Sequence, residues 1–101
     1  MTIVSFRPAA VRDLDAITDH IASDNPVRAL TFADELLDAC LSLQDLPERG
    51  TPRDDLAEGV RMLVHGAYLI LYDVIRDDAD SRVEILRILH GRRSLSDEAI
   101  R

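Results

Sequence analysis

The stretch from Val60 to Arg93, VRMLVHGAYLILYDVIRDDADSRVEILRILHGRR, constrains this chain more than any other. It reads as three short strands joined by two tight connections. Val60 to Val64 is β-rich and ends at His65-Gly66, expected to be a two-residue hairpin loop. Tyr68 to Arg76 is almost continuously apolar and aromatic, as a strand in the middle of a sheet must be. Asp77 to Ser81 (DDADS) is a cluster of residues that bond their own backbone and favour turns. Val83 to Leu89 forms the third strand. Strict alternation there puts Val83, Ile85, Arg87 and Leu89 on one face and Glu84, Leu86, Ile88 and His90 on the other. An arginine among aliphatics suggests a face that is not wholly sealed. The run closes on His90-Gly91-Arg92-Arg93, a compact cationic knot where the sheet ends.

What precedes the meander is helical. Thr2 to Phe6 (TIVSF) is a short β-rich stretch, and Pro8 suits the first turn of a helix, where a missing N–H costs nothing. Val11, Leu14, Ile17 and Ile21 recur at three- and four-residue steps, with Asp13, Asp15, Asp19 and His20 off that stripe. Asn25-Pro26 caps and opens a second helix. Its apolar face carries Ala29, Phe32, Ala33, Leu36, Leu37, Cys40 and Leu43, of which Phe32, Leu36, Leu37, Cys40 and Leu43 are expected to be buried, and Pro47 is expected to stop it. Packing partners for that face are expected among Leu69, Leu71 and Ile75. Glu48 to Gly59 is an aperiodic loop whose Asp54, Asp55 and Glu58 read as solvated. A polar tail, Ser94 to Arg101, could form a turn or two of helix capped by Ser94 or Ser96. The order β-α-α-β-β-β predicts an α+β fold: an N-terminal strand, a helical hairpin, then a three-stranded antiparallel meander with the helices on one face.

With 101 residues, 1–101 is expected to be a single domain. The net charge of −7 argues against a general nucleic-acid binder, which needs a positive field to displace counterions. All 12 basic residues are arginine, so any cationic site uses planar, bidentate groups. The lone Cys40 cannot form an internal disulfide and falls on an apolar face, which marks a small core residue. No opening run resembles a signal peptide and no apolar run approaches the roughly 20 residues of a membrane span, so a cytoplasmic protein without a membrane partner is expected. His20, His65 and His90 are widely spaced and no Cys or His pair has ligand spacing, so neither a metal nor a cofactor is expected.

Several local patterns, in this order, resemble the RelE/ParE superfamily of bacterial toxins, and its ParE branch most. They are Ala10-x-x-Asp13-Leu14-x-x-Ile17, Asn25-Pro26, Pro47-x-x-Gly50-x-x-Arg53-x-Asp55-Leu56, Gly59-x-Arg61, Tyr68-x-Ile70-x-Tyr72 and Leu89-His90-Gly91-Arg92-Arg93. Arg7 stands where the family often has a Ser or Thr helix cap. The resemblance implies the toxin of a type II toxin–antitoxin pair that inhibits DNA gyrase. A ParD-like antitoxin encoded by a neighbouring frame would neutralise it in a hetero-oligomer, and the chain alone would bind no specific DNA. Two alternatives follow from the same resemblance: a RelE-like, ribosome-dependent, metal-independent messenger ribonuclease, or a non-toxic family member.

The candidate residues differ between these readings. An inhibitor needs contacts rather than chemistry, and Arg61, His90, Arg92 and Arg93 are the candidates for target or antitoxin binding. A ribonuclease needs an acid, a base and cations for the charged phosphorane. His90 with Arg61 and Arg87 would be its catalytic set, with Tyr68 and Tyr72 nearby. Tyr72, in a central strand, also reads as core, and His90 as a group bonding backbone where its strand ends.

Overall fold

A computed structural model describes residues 2–77 and 80–92 of the chain. Its elements run β1 (Thr2–Phe6), α1 (Pro8–Asp24), α2 (Pro26–Leu41), a 3₁₀ turn (Ser42–Gln44), β2 (Thr51–Pro52), β3 (Val60–His65), β4 (Tyr68–Arg76) and β5 (Ser81–His90). The five strands form one sheet in the order β1-β5-β4-β3-β2. The α+β class, the N-terminal strand, the helical pair and the antiparallel β3-β4-β5 meander are all present. The expected tail helix and Arg93 lie outside the described residues.

β1 joins the sheet at its edge, parallel to β5, with Thr2 opposite Ser81 and Phe6 opposite Ile85. The helical hairpin supplies the crossover that a parallel pair requires. β2 was not foreseen. It is a two-residue pairing of Thr51 and Pro52 with Met62 and Arg61 inside the presumed loop, too short to leave a periodic signal. The β3–β4 turn is Gly66-Ala67 rather than His65-Gly66, because His65 still pairs with Tyr68. Gly66 has φ +59° and no described non-glycine residue has positive φ, which fits a II′ hairpin turn better than I′. Asp77 N–H donates to the Asp80 carbonyl at 2.8 Å across the second connection.

Both helices begin on proline. Asn25 caps α2, its Oδ1 accepting the Arg28 N–H at 3.0 Å. Arg7, at the α1 N-cap, makes no side-chain cap; its guanidinium instead reaches Glu84 Oε1 on β5 at 2.9 Å. α2 ends at Leu41 and tightens into the 3₁₀ turn, six residues before the proline expected to stop it. Leu43 therefore enters the core from the turn.

The sheet separates two apolar clusters. Ala10, Ile17, Leu36, Cys40 and Leu43 pack on Leu63, Ile70, Tyr72, Val83, Ile85 and Ile88, with Phe32 and Tyr68 at the margin. Leu71, Leu86 and Leu89 belong to the second cluster, covered by Leu56 and Ala57 of the 53–59 loop. Leu71 thus faces away from the helices, and the α2 face meets Ile70 and Tyr72 instead. Leu37, 37% exposed, is not part of the core, and Val11 is also exposed. Strict alternation fails on β5 because the register slips between Leu71, opposite Arg87, and Tyr72, opposite Ile85. The extra residue, Leu86, forms a bulge that turns Ile88 toward the helices and Leu89 away.

Candidate functional site

The β3–β4 turn and the end of β5 bring the chemistry of this molecule to one end of the sheet. His65 pairs with Tyr68 across the turn, and Tyr68 pairs with His90 on β5, so the three rings occupy one cross-strand row. Tyr68 meets His90 edge-on at 5.3 Å between ring centroids. Phe32 of α2 closes on the row, 5.4 Å from Tyr68 and 5.9 Å from His65. The Arg28 guanidinium lies over the Phe32 ring at 5.2 Å and also contacts Glu35. Beside the row, a groove of about 420 Å³ opens between α1 and β5, with His20, Ala16 and Ile17 on one wall and Tyr68, Ile88 and His90 on the other. All three histidines of the chain therefore belong to this end. Sequence spacing made His20 and His65 look isolated; the two-residue turn and its register were the signal that joins His65 to Tyr68.

His90 is exposed, and its Nδ1 accepts the Arg92 N–H at 3.1 Å, the strand-end backbone bond its position suggested. That bond engages Nδ1 and not Nε2. Gly91 N–H donates to the Ala67 carbonyl at 2.8 Å, tying the end of β5 to the hairpin turn. Arg92 is exposed at the same corner. Arg93 falls outside the described residues.

The other candidates have different employments. Asp13 of α1, read from sequence as off the apolar stripe, turns toward the sheet. Its Oδ2 accepts from Arg87 Nε at 2.7 Å and from the Ile88 N–H at 3.0 Å, while Oδ1 accepts from Arg87 Nη2 at 2.9 Å. Both side chains are mostly covered, 13% and 17% exposed, so the face carrying Arg87 is sealed by a carboxylate. Hydrogen bonding to Asp13 holds the guanidinium pKa above its ordinary value. Arg61 bonds loop carbonyls, Gly50 O at 3.1 Å and Glu48 O at 3.0 Å. It pairs with Tyr72, four residues along β4 from Tyr68, roughly 13 Å at the strand rise of about 3.3 Å per residue. Tyr72 is fully buried; its hydroxyl donates to the Pro47 carbonyl and accepts the Gly50 N–H, each at 2.8 Å.

The acidic loop is also more occupied than expected. Asp54 Oδ1 accepts the Gly59 N–H at 2.9 Å, and Arg53 grips Asp55 bidentately with both bonds at 2.9 Å. That grip raises the Arg53 pKa and lowers that of Asp55, hydrogen bonding being the leading cause in each. Cys40 is buried, and desolvation pushes its thiol up to about 12, which makes it inert at neutral pH. Among the described residues no three His, Cys, Asp or Glu side chains converge as metal ligands, and no helix is long and apolar enough to cross a membrane.

What this arrangement offers chemically is a contact surface of two exposed imidazoles, His20 and His90, a phenol, an aromatic platform and exposed guanidinium groups. Comparison with known proteins places the chain in a family. Residues 4–95 match the ParE toxin of type II toxin–antitoxin systems, parDE. Toxin RelE2 of Caulobacter vibrioides is 39% identical over 84 residues, covering 83% of this chain and 89% of that protein. A solved structure of the chromosomal ParDE system from P. aeruginosa matches with a TM-score of 0.75 at 26% identity, covering 89% of this chain and 96% of that one. The RelBE2 toxin–antitoxin complex of Mycobacterium tuberculosis matches with a TM-score of 0.62 at 28% identity, covering 87% and 95%. The chain belongs to the ParE toxin family of type II toxin–antitoxin systems.

Proposed function

We propose that this member of the family acts as a ParE-type inhibitor of DNA gyrase, held inactive by a ParD-like antitoxin in a hetero-oligomer. The observation that carries this reading is the occupation of the would-be catalytic arginines. A ribonuclease needs a guanidinium free to take the phosphorane charge beside its acid or base. Arg87 is committed to Asp13, and Arg61 to the carbonyls of Glu48 and Gly50. Of that set His90 alone faces outward, at a corner it shares with Arg92. Contact with a protein asks only for such a surface, and binding spreads its energy over a patch in which fewer than about 30% of residues are critical. The match to a ParDE toxin supports the same direction and supports an antitoxin partner.

The purified chain, freed of antitoxin, is expected to inhibit gyrase supercoiling and to leave messenger on translating ribosomes intact. His90→Gln keeps a strand-end acceptor of similar reach and retains much of that inhibition. Arg92→Ala combined with Arg93→Ala removes two charge-assisted contacts and weakens it more. The resemblance to RelE2 and to the RelBE2 complex favours the ribonuclease as the second reading. Messenger cleavage by the parent chain that disappears in His90→Gln would establish it. Equal growth with and without the neighbouring antitoxin frame would point to a non-toxic member.

A further inference from the structure

β1 ends the sheet on one side, and its outer edge has no backbone partner among the described residues. Arg7 N–H donates to the Ile85 carbonyl at 2.9 Å, so the backbone at position 7 turns toward β5. Backbone direction alternates along a strand; Ser5 and Ile3 therefore turn inward as well, and Thr2, Val4 and Phe6 turn outward. The segment TIVSF carries no charge and no proline, and its pairing with β5 has no bulge. The opposite edge is different, since β2 is two residues long and one of them is Pro52. Natural sheets blunt their edges with such devices, and β1 lacks them. Val4 and Phe6 pack on the core beneath the helices, while Ile3, on the other face, is 61% exposed. Arg7, the charge next to this edge, is paired with Glu84.

We propose that β1 pairs antiparallel with β1 of a second copy of this chain, joining two sheets edge to edge about a twofold axis at Val4. The inference goes beyond the toxin reading and does not depend on it. The backbone selects both the occupant and the register. With Val4 opposite Val4, Thr2 falls opposite Phe6, and every outward residue enters a hydrogen-bonded pair that exchanges two bonds. A shift by one residue sets outward groups against inward ones, and a shift by two loses one of the three pairs. The helices do not obstruct this pairing. α1 packs chiefly on β5, so the α1 helices of the two copies stand three strand spacings apart. At about 4.8 Å per spacing that is roughly 14 Å, beyond the roughly 8–10 Å of packed helices. Two short edge strands bury less than a standard interface, so the dimer is weak and depends on concentration.

The test uses the full chain at micromolar to near-millimolar concentration. Sedimentation velocity should show the mass of the parent rising toward that of a dimer. Val4→Pro removes the outward N–H at the axis and no bond to β5, and Ile3→Lys sets two cations diagonally across the seam. Both variants should stay monomeric, with circular dichroism spectra matching the parent. Mixed Ile3→Cys and Ser5→Cys chains read the register. Positions 3 and 5 of opposite copies form a non-hydrogen-bonded pair, about 4.5 Å between Cα atoms and within disulfide reach. Like positions lie diagonally, about 7–8 Å apart. Under mild oxidation the mixture should cross-link several-fold more than either variant alone, Cys40 being buried. A parent that stays monomeric, a dimer that persists in folded Ile3→Lys, or cross-linking no greater in the mixture would each overturn the proposal.

Discussion

The Tyr72 hydroxyl accepts the Gly50 N–H at 2.8 Å, in so close an approach that a Cβ at position 50 would lie 2.6 Å from that oxygen. The same hydroxyl donates to the Pro47 carbonyl, so one buried phenol from the central strand closes the loop that follows α2. Arg61 grips that loop from β3 through the Gly50 and Glu48 carbonyls. The Pro47-x-x-Gly50 pattern and Tyr72 are thus two halves of one contact.

Tyr72→Phe is expected to leave the Gly50 N–H and the Pro47 carbonyl without this partner and to cost about 1–3 kcal/mol. Gly50→Ala should cost as much or more, since the Met62 carbonyl stands 2.9 Å from the added carbon and cannot swing aside. Urea denaturation of both variants measures this. A Tyr72→Phe midpoint equal to the parent would mean the hydroxyl is dispensable.

Leu36 and Leu37 are adjacent on α2 yet differ in environment, one fully buried and the other 37% exposed. Leu36→Ala should cost about 2–5 kcal/mol, enough to threaten a domain of ordinary stability of about 5–15 kcal/mol. Leu37→Ala should cost well under half as much. Comparable melting temperatures for the two variants would mean the inward face of the helix lies elsewhere.

Asp13 and Arg87 join α1 to β5, and truncating Asp13 removes both bonds to the guanidinium together with the one to the Ile88 N–H. Asp13→Ala is expected to lose about 2–4 kcal/mol, slightly under the usual cost for a fully buried pair because both groups keep some exposure. Asp13→Leu with Arg87→Met should recover part of that loss. The double-mutant cycle checks it: additive losses would show that the two side chains do not interact in solution.

Cys40 makes a prediction for alkaline pH. Its folded pKa of about 12 lies above the ordinary thiol value of 9.0, so between those values the unfolded chain binds fewer protons than the folded one. Stability contributed by the neutral thiol is complete below pH 9 and falls as pH rises toward 12, by up to about 1.4 kcal/mol per pH unit. Cys40→Ala removes this component, so stability curves of parent and variant, measured from pH 8 to 11, should converge upward. Parallel curves over that range would show that the thiol titrates alike in both states.

The sequence by itself determined the elements that local chemistry specifies. Asn25-Pro26 marks the start of α2 because the cap and its proline act within four residues. The span Tyr68 to Arg76 reads as a central strand because nearly every side chain in it is buried or half-buried. The apolar periodicity of α2 located Leu36 and Cys40, and Cys40 proved to be core. What only tertiary structure decided involves contacts between distant residues. The parallel seat of β1, Asp13's turn toward Arg87 and the assembly of His20, His65 and His90 at one end depend on how strands and helices meet. Most telling is the bulge at Leu86. Periodicity assumes one residue per step, and a single extra residue, required by pairing with β4, moved Ile88 to the face the pattern had given Leu89, and Leu89 to the face it had given Ile88.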